Sequence, residues 1–334
     1  MRNEELIVPT QNSKLKTQNS IDIIIPNYNG MALLPTCLDA LRAQTRQDFV
    51  VTVVDDGSSD GSLALLAAAY PEVQVLALPH NRGLAKAVNA ALKITSKKIV
   101  VLLNNDTRAD AYWLERLVGM LERYPGYSFA ASKLMLFDRP DHIHSAGDFY
   151  RVDGEPGSRG VWQHDLGQYD AVEEVFGPCA GAAAYRRSAL QQLAQAGQVF
   201  DEDLGMYCED VDLNLRARLG GMRTLYVPTA VVYHRLSATG GGTLASYYCG
   251  RNFALVWAKN MPSRQARRYW WALLGSQLRF MLSALWHVRE PAARARLRGQ
   301  RDALCTLPKF LHKRRQNPPP DIRLDLVGAQ DEGY

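Results

Sequence analysis

The sequence predicts an α/β fold built on a mostly parallel central sheet flanked by helices, and three observations carry that expectation. From Ile21 to Leu103 short apolar runs alternate with stretches whose apolar residues recur every three or four positions, the pattern of strands joined by crossover helices. Polar residues follow each run, at Asn27, Asp55, Asn81 and Asn104, so a parallel arrangement gathers them along one edge of the sheet, where open α/β sheets hold ligands. With 334 residues and 47% hydrophobic content, the chain can bury the core such a sheet requires.

Ile21 to Pro26 reads as the first strand, followed by Asn27-Tyr28-Asn29-Gly30 and a helix to about Gln44 with Leu34, Cys37, Leu38 and Leu41 on one face. Phe49 to Val54 is a second strand that breaks into Asp55-Asp56-Gly57 before a helix ending near Tyr70. Val73 to Leu78 is a third, and a helix carrying Leu84, Val88, Ala91 and Leu92 leads to the strand Ile99 to Leu103. A helix with Trp113, Leu114, Leu117, Val118 and Leu121 inward precedes a strand over Tyr127 to Leu136. From Asp138 to Ala171 the periodicity fails and Gly, Asp, His and aromatics accumulate, as in a functional or mobile loop. The turn Gly-Pro-Cys-Ala-Gly, a small-residue strand to Tyr185, a short helix over Ser188 to Ala196, and strands over Thr224 to Val227 and Ala230 to Tyr233 complete this half.

Two blocks carry chemistry. At Asn104-Asn105-Asp106 an apolar strand ends in two amides and a carboxylate, which either cap the next helix or form part of a site. Asp and Asn accumulate at the other strand ends along the same edge, which favours the site. In Phe200-Asp201-Glu202-Asp203-Leu204-Gly205-Met206-Tyr207-Cys208-Glu209-Asp210 five carboxylates lead into a helix that packs through Val211, Leu215 and Leu219. Simple capping by a helix dipole is the plain alternative for Asp210. Glu209 and Asp210 differ by about 100° around a helix, so one of them at most is expected to face a given ligand. His234 directly follows a β-branched run and suits either a surface or an ion. His142, His144 and His164 have no metal-ligand spacing and read as structural or solvated.

Several classes are excluded. The first strand-helix turn lacks G-x-G-x-x-G, and a P-loop sequence occurs nowhere. The Asp55 loop has Leu66 where a calcium hand requires a bidentate Glu. Five widely spaced cysteines without C-x-x-C form neither a disulfide framework nor a zinc site, which favours a reducing compartment. Met1 to Ser20 lacks an apolar signal core and reads as a loose polar leader, so the glycosylation sequon at Asn105 is discounted. The net charge of +5 is uneven. Residues 262–316 hold 13 Lys or Arg against Glu290 and Asp302, a balance of +11 that leaves −6 for the remainder. Such a basic segment points to an anionic membrane surface and not to nucleic acid.

The ordered motifs IIIPNYNG, VVDDGSSDGS, NRGLAKAVN, LLNNDT, GPCAGAAAYRR, FDEDLGMYCEDVDL and VVYH together resemble inverting glycosyltransferases of family 2 with the GT-A fold, and more narrowly the bacterial rhamnosyltransferase-like members. The resemblance covers about 21–262. It implies a catalytic domain there, with 21–136 the nucleotide-sugar half and 137–262 the acceptor half. It also implies that Pro26, Tyr28, Asn29 and Asp55 hold the nucleoside, Asp55 accepting from a pyrimidine N–H, and that Asn81 and Gly83 line the pocket near the ribose and diphosphate. Asn104-Asn105-Asp106 occupies the place of the family's D-x-D motif, with Asn104 where the first Asp would be. Asp106 is then the expected ligand for Mg²⁺ or Mn²⁺, with His234 joining the metal or diphosphate and Asn104 and Asn105 positioning the nucleotide.

Hard oxygen ligation of such an ion offsets the charge that develops on a departing nucleoside diphosphate. An acceptor hydroxyl on the opposite side of the sugar must lose a proton, for which one carboxylate suffices in direct inverting displacement. Asp210 is the expected general base, with Glu209 its alternative or support, and no covalent carboxylate nucleophile is needed. The acceptor is expected to be a glycan or lipid-linked glycan in cell-surface polysaccharide assembly, with dTDP-rhamnose as donor ahead of UDP-hexoses. A nucleotidyltransferase would carry several glycines and a cation after the first strand, which Asn27 to Gly30 lacks. The alternative is a non-catalytic, membrane-associated nucleotide-sugar binder, against which the presence of both Asp106 and Asp210 argues, and product formation versus binding alone separates the two.

Over 263–316 the sequence predicts an amphipathic basic helical extension, with Trp270, Leu274, Leu278, Met281 and Leu285 at helical spacing. It either packs on the catalytic domain or lies on a membrane. Residues 317–334, which open with Pro318-Pro319-Pro320, read as a flexible tail. The expected location is cytoplasmic, peripheral on the cytoplasmic face of a bacterial inner membrane.

Overall fold

A computed structural model describes residues 6–8, 20–236 and 242–328. The first half runs β1 (Leu6–Val8), β2 (Ile21–Asn27), α1 (Leu34–Arg42), β3 (Phe49–Asp55), α2 (Ser62–Ala69), β4 (Gln74–Ala77), α3 (Leu84–Ile94) and β5 (Ile99–Leu103). Strands β4, β3, β2 and β5 lie side by side and parallel, so the ends of β2, β3 and β5 reach the same edge. β1 pairs antiparallel with β4. Part of the segment expected to be a loose leader is thus an edge strand, and the rest of 1–19 lies outside the described residues.

The second half contains β6 (Thr107–Ala109), α4 (Trp113–Arg123), β7 (Phe129–Leu136), β8 (Ile143–Ser145), β9 (Asp148–Tyr150), β10 (Pro156–Ser158), β11 (Glu173–Val175), β12 (Ala182–Arg186), α5 (Arg187–Leu193), α6 (Glu209–Leu219) and β13 (Thr224–His234). Here the sheet becomes mixed, because β12 inserts antiparallel between β5 and β7 while β7 and β13 run parallel. Thr224 to His234 forms one strand and not the two expected, with an irregularity between Val227 and Val231 that takes up Pro228, a residue unable to donate to the ladder.

The sheet is buried on both faces. Ile21, Ile23, Ile25, Val101 and Leu103 point toward α1 and α4, whereas Ile24, Val100 and Leu102 point toward α3 and α5, as period-two alternation requires. Leu34, Cys37, Leu38 and Leu41 on α1, and Trp113, Leu114, Leu117, Val118 and Leu121 on α4, are all buried as expected. The Trp113 indole N–H donates to Ser132 at 2.9 Å, satisfying the one polar atom this side chain brings into the core.

Three C-terminal helices follow, α7 (Thr243–Asn260), α8 (Ser263–Trp286) and α9 (Pro291–Gln316). α9 packs along α7, with Gly299 so close to the Tyr247 carbonyl that a Cβ there would lie 2.1 Å from its oxygen. Lys309 and Lys313 bind Asp203, Lys313 also binds Asp201, and Arg314 donates to the Ala258 carbonyl. Much of the charge near the end of α9 is therefore paired within the fold. The expected flexible tail is tied down as far as residue 328, since Leu324 is buried and Val327 exchanges backbone hydrogen bonds with the segment 150–152. Residues 329–334 lie outside the described residues.

α8 buries small residues, Ala272, Ser276 and Ala284. Its apolar stripe of Trp270, Trp271, Leu274, Leu278, Leu282, Leu285 and Trp286 faces outward, from 43% exposed at Leu278 to 85% at Trp286. No helix of the described residues is long and apolar enough to cross a membrane.

Candidate active site

The parallel strand ends, the β13 terminus and the first turn of α6 surround one cavity of about 550 Å³. On the strand-end side Pro26, Tyr28, Asn81, Gly83, Asn104 and Asn105 form part of the wall. Asn105 Nδ2 donates to Asn27 Oδ1 at 2.7 Å, and Asn27 Nδ2 donates to Asp55 Oδ1 at 3.0 Å, lacing together the ends of β5, β2 and β3. A Cβ on Gly30 would lie 2.2 Å from both atoms of the Asn27–Asn105 hydrogen bond, so the motif requires glycine there.

Asp55 departs from its expected place. It is fully buried, and its second oxygen accepts from the Ser58 backbone N–H at 2.9 Å, so it braces the loop from inside and does not line the cavity. The carboxylate at this strand end that does reach the wall is Asp56, which accepts from the N–H groups of Arg82 and Gly83 at 2.8 Å each. Asn29 also stays off the wall, because its Oδ1 accepts from the Ser59 N–H at 2.8 Å and locks one loop to the other.

Antiparallel pairing of β6 with β13 sets Thr107 opposite His234, which brings His234 beside Asp106. His234 Nε2 lies 3.0 Å from Asp106 Oδ1 and 3.4 Å from Asn104 Nδ2. Asp106 Oδ1 is buried and accepts no hydrogen bond, the close ring nitrogen being out of line. A carboxylate oxygen with free lone pairs beside an imidazole nitrogen fits a divalent cation that takes hard oxygen and nitrogen ligands. The other ring nitrogen of His234 meets His144 Nδ1 at 3.0 Å. Burial, with the adjacent His234 ring, pushes the His144 pKa down to about 3, so His144 is neutral. Gly181 keeps this corner open, a Cβ there falling 3.3 Å from Asn104 Nδ2 and 3.5 Å from His234 Cε1.

The opposite wall is the first turn of α6. The chain enters it through Tyr207 (φ 62) and Cys208 (φ 67), two consecutive residues in the left-handed region that side chains disfavour. Buried Asn252 on α7 holds this approach, its Nδ2 directed at the carbonyls of Leu204, Met206 and Tyr207. Glu209 and Asp210 both line the cavity. Asp210 Oδ1 accepts from the Val211 N–H at 2.8 Å and Oδ2 from the Ala180 N–H at 3.3 Å. The two donors fix its orientation without removing it from the cavity. Burial raises the pKa of Asp210 despite those donors. Burial and then the Asp210 charge raise that of Glu209 to about 8, and Glu209 Oε2 has no hydrogen-bond partner.

Two further wall residues are His144, for which the sequence suggested a structural or solvated role, and Asp148, which no sequence motif singled out. Both come from the segment where periodicity fails. β8 carries His144 alongside β7, and β9 carries Asp148. Histidine and carboxylate enrichment in that segment was the available hint, but no spacing pointed at these two residues. His142 and His164, by contrast, meet Asp141 at ring-nitrogen-to-oxygen distances of 2.9 and 3.3 Å away from the cavity wall.

Comparison with known proteins gives the family and the fold. Residues 22–194 match the family model described as glycosyl transferase family 2. An N-acetylglucosaminyltransferase of Rhizobium sp. (strain N33) is 29% identical over 224 residues, covering 64% of this chain and 47% of that protein. The chain thus spans about half the length of that relative. An N-acetylglucosaminyl-diphospho-decaprenol L-rhamnosyltransferase of Mycobacterium tuberculosis is 26% identical over 244 residues, 66% of this chain and 78% of that protein. Among solved structures, the mannosyltransferase PcManGT of Pyrobaculum calidifontis, in complex with GDP-Man and Mn²⁺, superposes with a TM-score of 0.54 at 19% identity, covering 90% of this chain and 87% of that one. That likeness speaks for the fold, which is GT-A.

Proposed function

The chain belongs to glycosyl transferase family 2, and we propose that it moves a sugar from a nucleotide-diphospho-sugar to a hydroxyl of a glycan or lipid-linked glycan, with inversion at the transferred carbon. The observation that carries this reading is the single cavity on which Asn104, Asn105, Asp106 and His234 meet Glu209 and Asp210. Residues 21–262 act as the catalytic unit, with the strand-end loops holding the donor and the α6 side receiving the acceptor.

Asp106 and His234 would hold Mg²⁺ or Mn²⁺, with Asn104 beside them. The ion's contribution when bound is to offset the negative charge that grows on the departing diphosphate. Pro26 and Tyr28, with Asp56 in the place expected of Asp55, enclose the nucleoside, and Asn81 and Gly83 approach the ribose and diphosphate. Asp210 accepts the proton of the attacking hydroxyl as that oxygen bonds to the anomeric carbon. Its orientation is set by the Val211 and Ala180 N–H groups, and its raised pKa strengthens it as a base. Glu209, buried beside it and prone to protonation at neutral pH, supports the acceptor side as a hydrogen-bond donor.

dTDP-rhamnose is the favoured donor, supported by the motif resemblance and by the name of the mycobacterial relative. The outward stripe of α8, with Arg264, Arg267 and Arg268 exposed at its start, supports docking on the anionic cytoplasmic leaflet of a bacterial inner membrane, where a lipid-linked acceptor for cell-surface polysaccharide would lie. The deciding experiment supplies dTDP-rhamnose, UDP-N-acetylglucosamine and GDP-mannose in turn, with Mn²⁺ and a polyprenyl-diphosphate-linked N-acetylglucosamine acceptor. Nucleoside diphosphate release and the product's anomeric configuration are followed by NMR. Retention of configuration would overturn the inverting assignment.

A further inference from the structure

Asp148 is buried and lines the same cavity as Asp210, yet neither donor binding nor deprotonation of the acceptor requires it. One carboxylate oxygen of Asp148, one of Asp210 and the Cys179 sulfur lie within 4.8 Å of one another. Two buried carboxylates so placed cannot both ionise freely, and the first to ionise keeps the second protonated.

Their surroundings decide which does so. Asp210 stands in the first turn of a helix and accepts from two backbone N–H groups, both of which favour its anion. Asp148 stands on a strand, where its Oδ1 accepts only the neutral hydroxyls of Ser145 at 3.1 Å and Ser158 at 2.7 Å. The titratable groups around Asp148 add no positive charge. They are Asp210 from α6, Cys179 from the turn before β12 and Tyr185 from β12. Burial, with the Asp210 charge next, raises Asp148 to about 7, and burial also keeps the Cys179 thiol protonated.

We propose that Asp148 and Asp210 hold one proton between them, with Asp148 the neutral member beside the Asp210 anion that takes the acceptor proton. The inference rests on the glycosyltransferase reading and on Asp210 as its base. In the transfer, the hydroxyl oxygen bonds to the anomeric carbon and its proton passes to Asp210, while the carbon–oxygen bond to phosphate breaks and its electron pair leaves with the nucleoside diphosphate. The pair then carries two protons and returns one to solvent before the next turnover. Asp148 is accordingly a positioning residue that acts through Asp210.

The test has two arms on the full chain. In the first, ¹³C-carboxyl NMR follows Asp148 against pH in the unaltered protein and in Asp210→Asn. Asp148 should be protonated at pH 6, and its titration should move toward acid by at least half a pH unit once Asp210 is neutral. An Asp148 already ionised at pH 6, or an unmoved titration, would overturn the pairing. In the second, nucleoside diphosphate release from dTDP-rhamnose with Mn²⁺ is measured from pH 5 to 9. Asp148→Ala should lose more than tenfold, and Asp148→Asn, which mimics the neutral acid, should recover most of that loss with a flattened alkaline limb. An Asn variant as inactive as the Ala variant, or a loss of Mn²⁺ affinity in either, would overturn it. If the unaltered chain releases no nucleoside diphosphate, the glycosyltransferase reading fails while the first arm still decides the pairing.

Discussion

His144 and His234 meet nitrogen to nitrogen, Nδ1 to Nδ1 at 3.0 Å, while the far side of His234 turns its Nε2 toward Asp106. One proton must lie between the two Nδ1 atoms. If His234 supplies it, Nε2 presents a bare lone pair beside a carboxylate, the arrangement a cation completes. Outer partners of this kind typically govern 10–100-fold in metal affinity. His144→Ala should therefore weaken Mn²⁺ binding by about that factor when titrated calorimetrically without donor, and unchanged affinity would remove His144 from this role.

Asp106 offers the buried oxygen that accepts no hydrogen bond. Asp106→Ala should abolish the metal dependence of donor binding. Calorimetry with a sugar nucleotide, with and without Mn²⁺, should give two different affinities for the unaltered protein and one for the variant. A variant that still binds more tightly in Mn²⁺ would reassign the ligand.

Asp210 is held at the cavity wall by two backbone donors. Asp210→Asn keeps its shape and loses its basicity, so transfer should fall by about 10²–10⁴-fold while nucleotide binding stays within a few-fold. Because burial raises the Asp210 pKa, transfer by the unaltered protein should rise with pH through a midpoint above the usual carboxylate range. An Asn variant with full turnover would leave Glu209 as the base.

How far these roles were legible depends on where the side chains come from. Asp106 and Asp210 follow strong local patterns, a strand ending in amides and an amphipathic helix preceded by acids, and both reach the cavity. Asp55 and Asp56 are adjacent at a strand end, and composition cannot say which of two neighbours turns inward. The hydrogen bonds to Asn27 and Ser58 decide that. His144 and Asp148 arrive through short strand pairings between segments with no periodicity of their own. The apolar spacing on α8 was visible, but its direction was not, because a stripe that faces solvent has the same period as one that faces a core.

Lys259 ties α7 to α6 and to the acidic loop, its ammonium 2.7 Å from Asp201 Oδ2 and 2.8 Å from Asp212 Oδ1, with all three side chains buried. Burial alone would raise the Asp212 pKa, but the charges of Lys259 and Arg216 outweigh it and hold Asp212 well below the usual range. A carboxylate depressed by folding contributes stability above its unfolded pKa of about 3.9 and loses that contribution as pH falls toward the folded value. Lys259→Met should cost about 3–5 kcal/mol near pH 7, and the difference from the unaltered protein should narrow below about pH 4. Urea unfolding at pH 7 and pH 3 checks both points, and an equal loss at the two values would show that Lys259 acts through packing alone.

α8 presents about 24 Å of apolar surface between Trp270 and Trp286 at a helical rise of 1.5 Å per residue. Arg267 lies one turn before Trp271 on the same side, and Arg264 and Arg268 accompany it at the start of the stripe. Tryptophans at both ends and cations at the margin suit the plane of a lipid headgroup layer, where indoles sit at the interface and each basic residue adds about 1 kcal/mol of attraction to an anionic surface. The chain should therefore float with vesicles containing phosphatidylglycerol and less with purely zwitterionic ones. Replacing Trp270, Trp271 and Trp286 by Ser should release it from both, while transfer to a short water-soluble acceptor persists because none of the three lines the cavity. Equal flotation of the triple variant would move the membrane contact off α8, and no flotation of the unaltered protein in either case would leave the stripe to another partner.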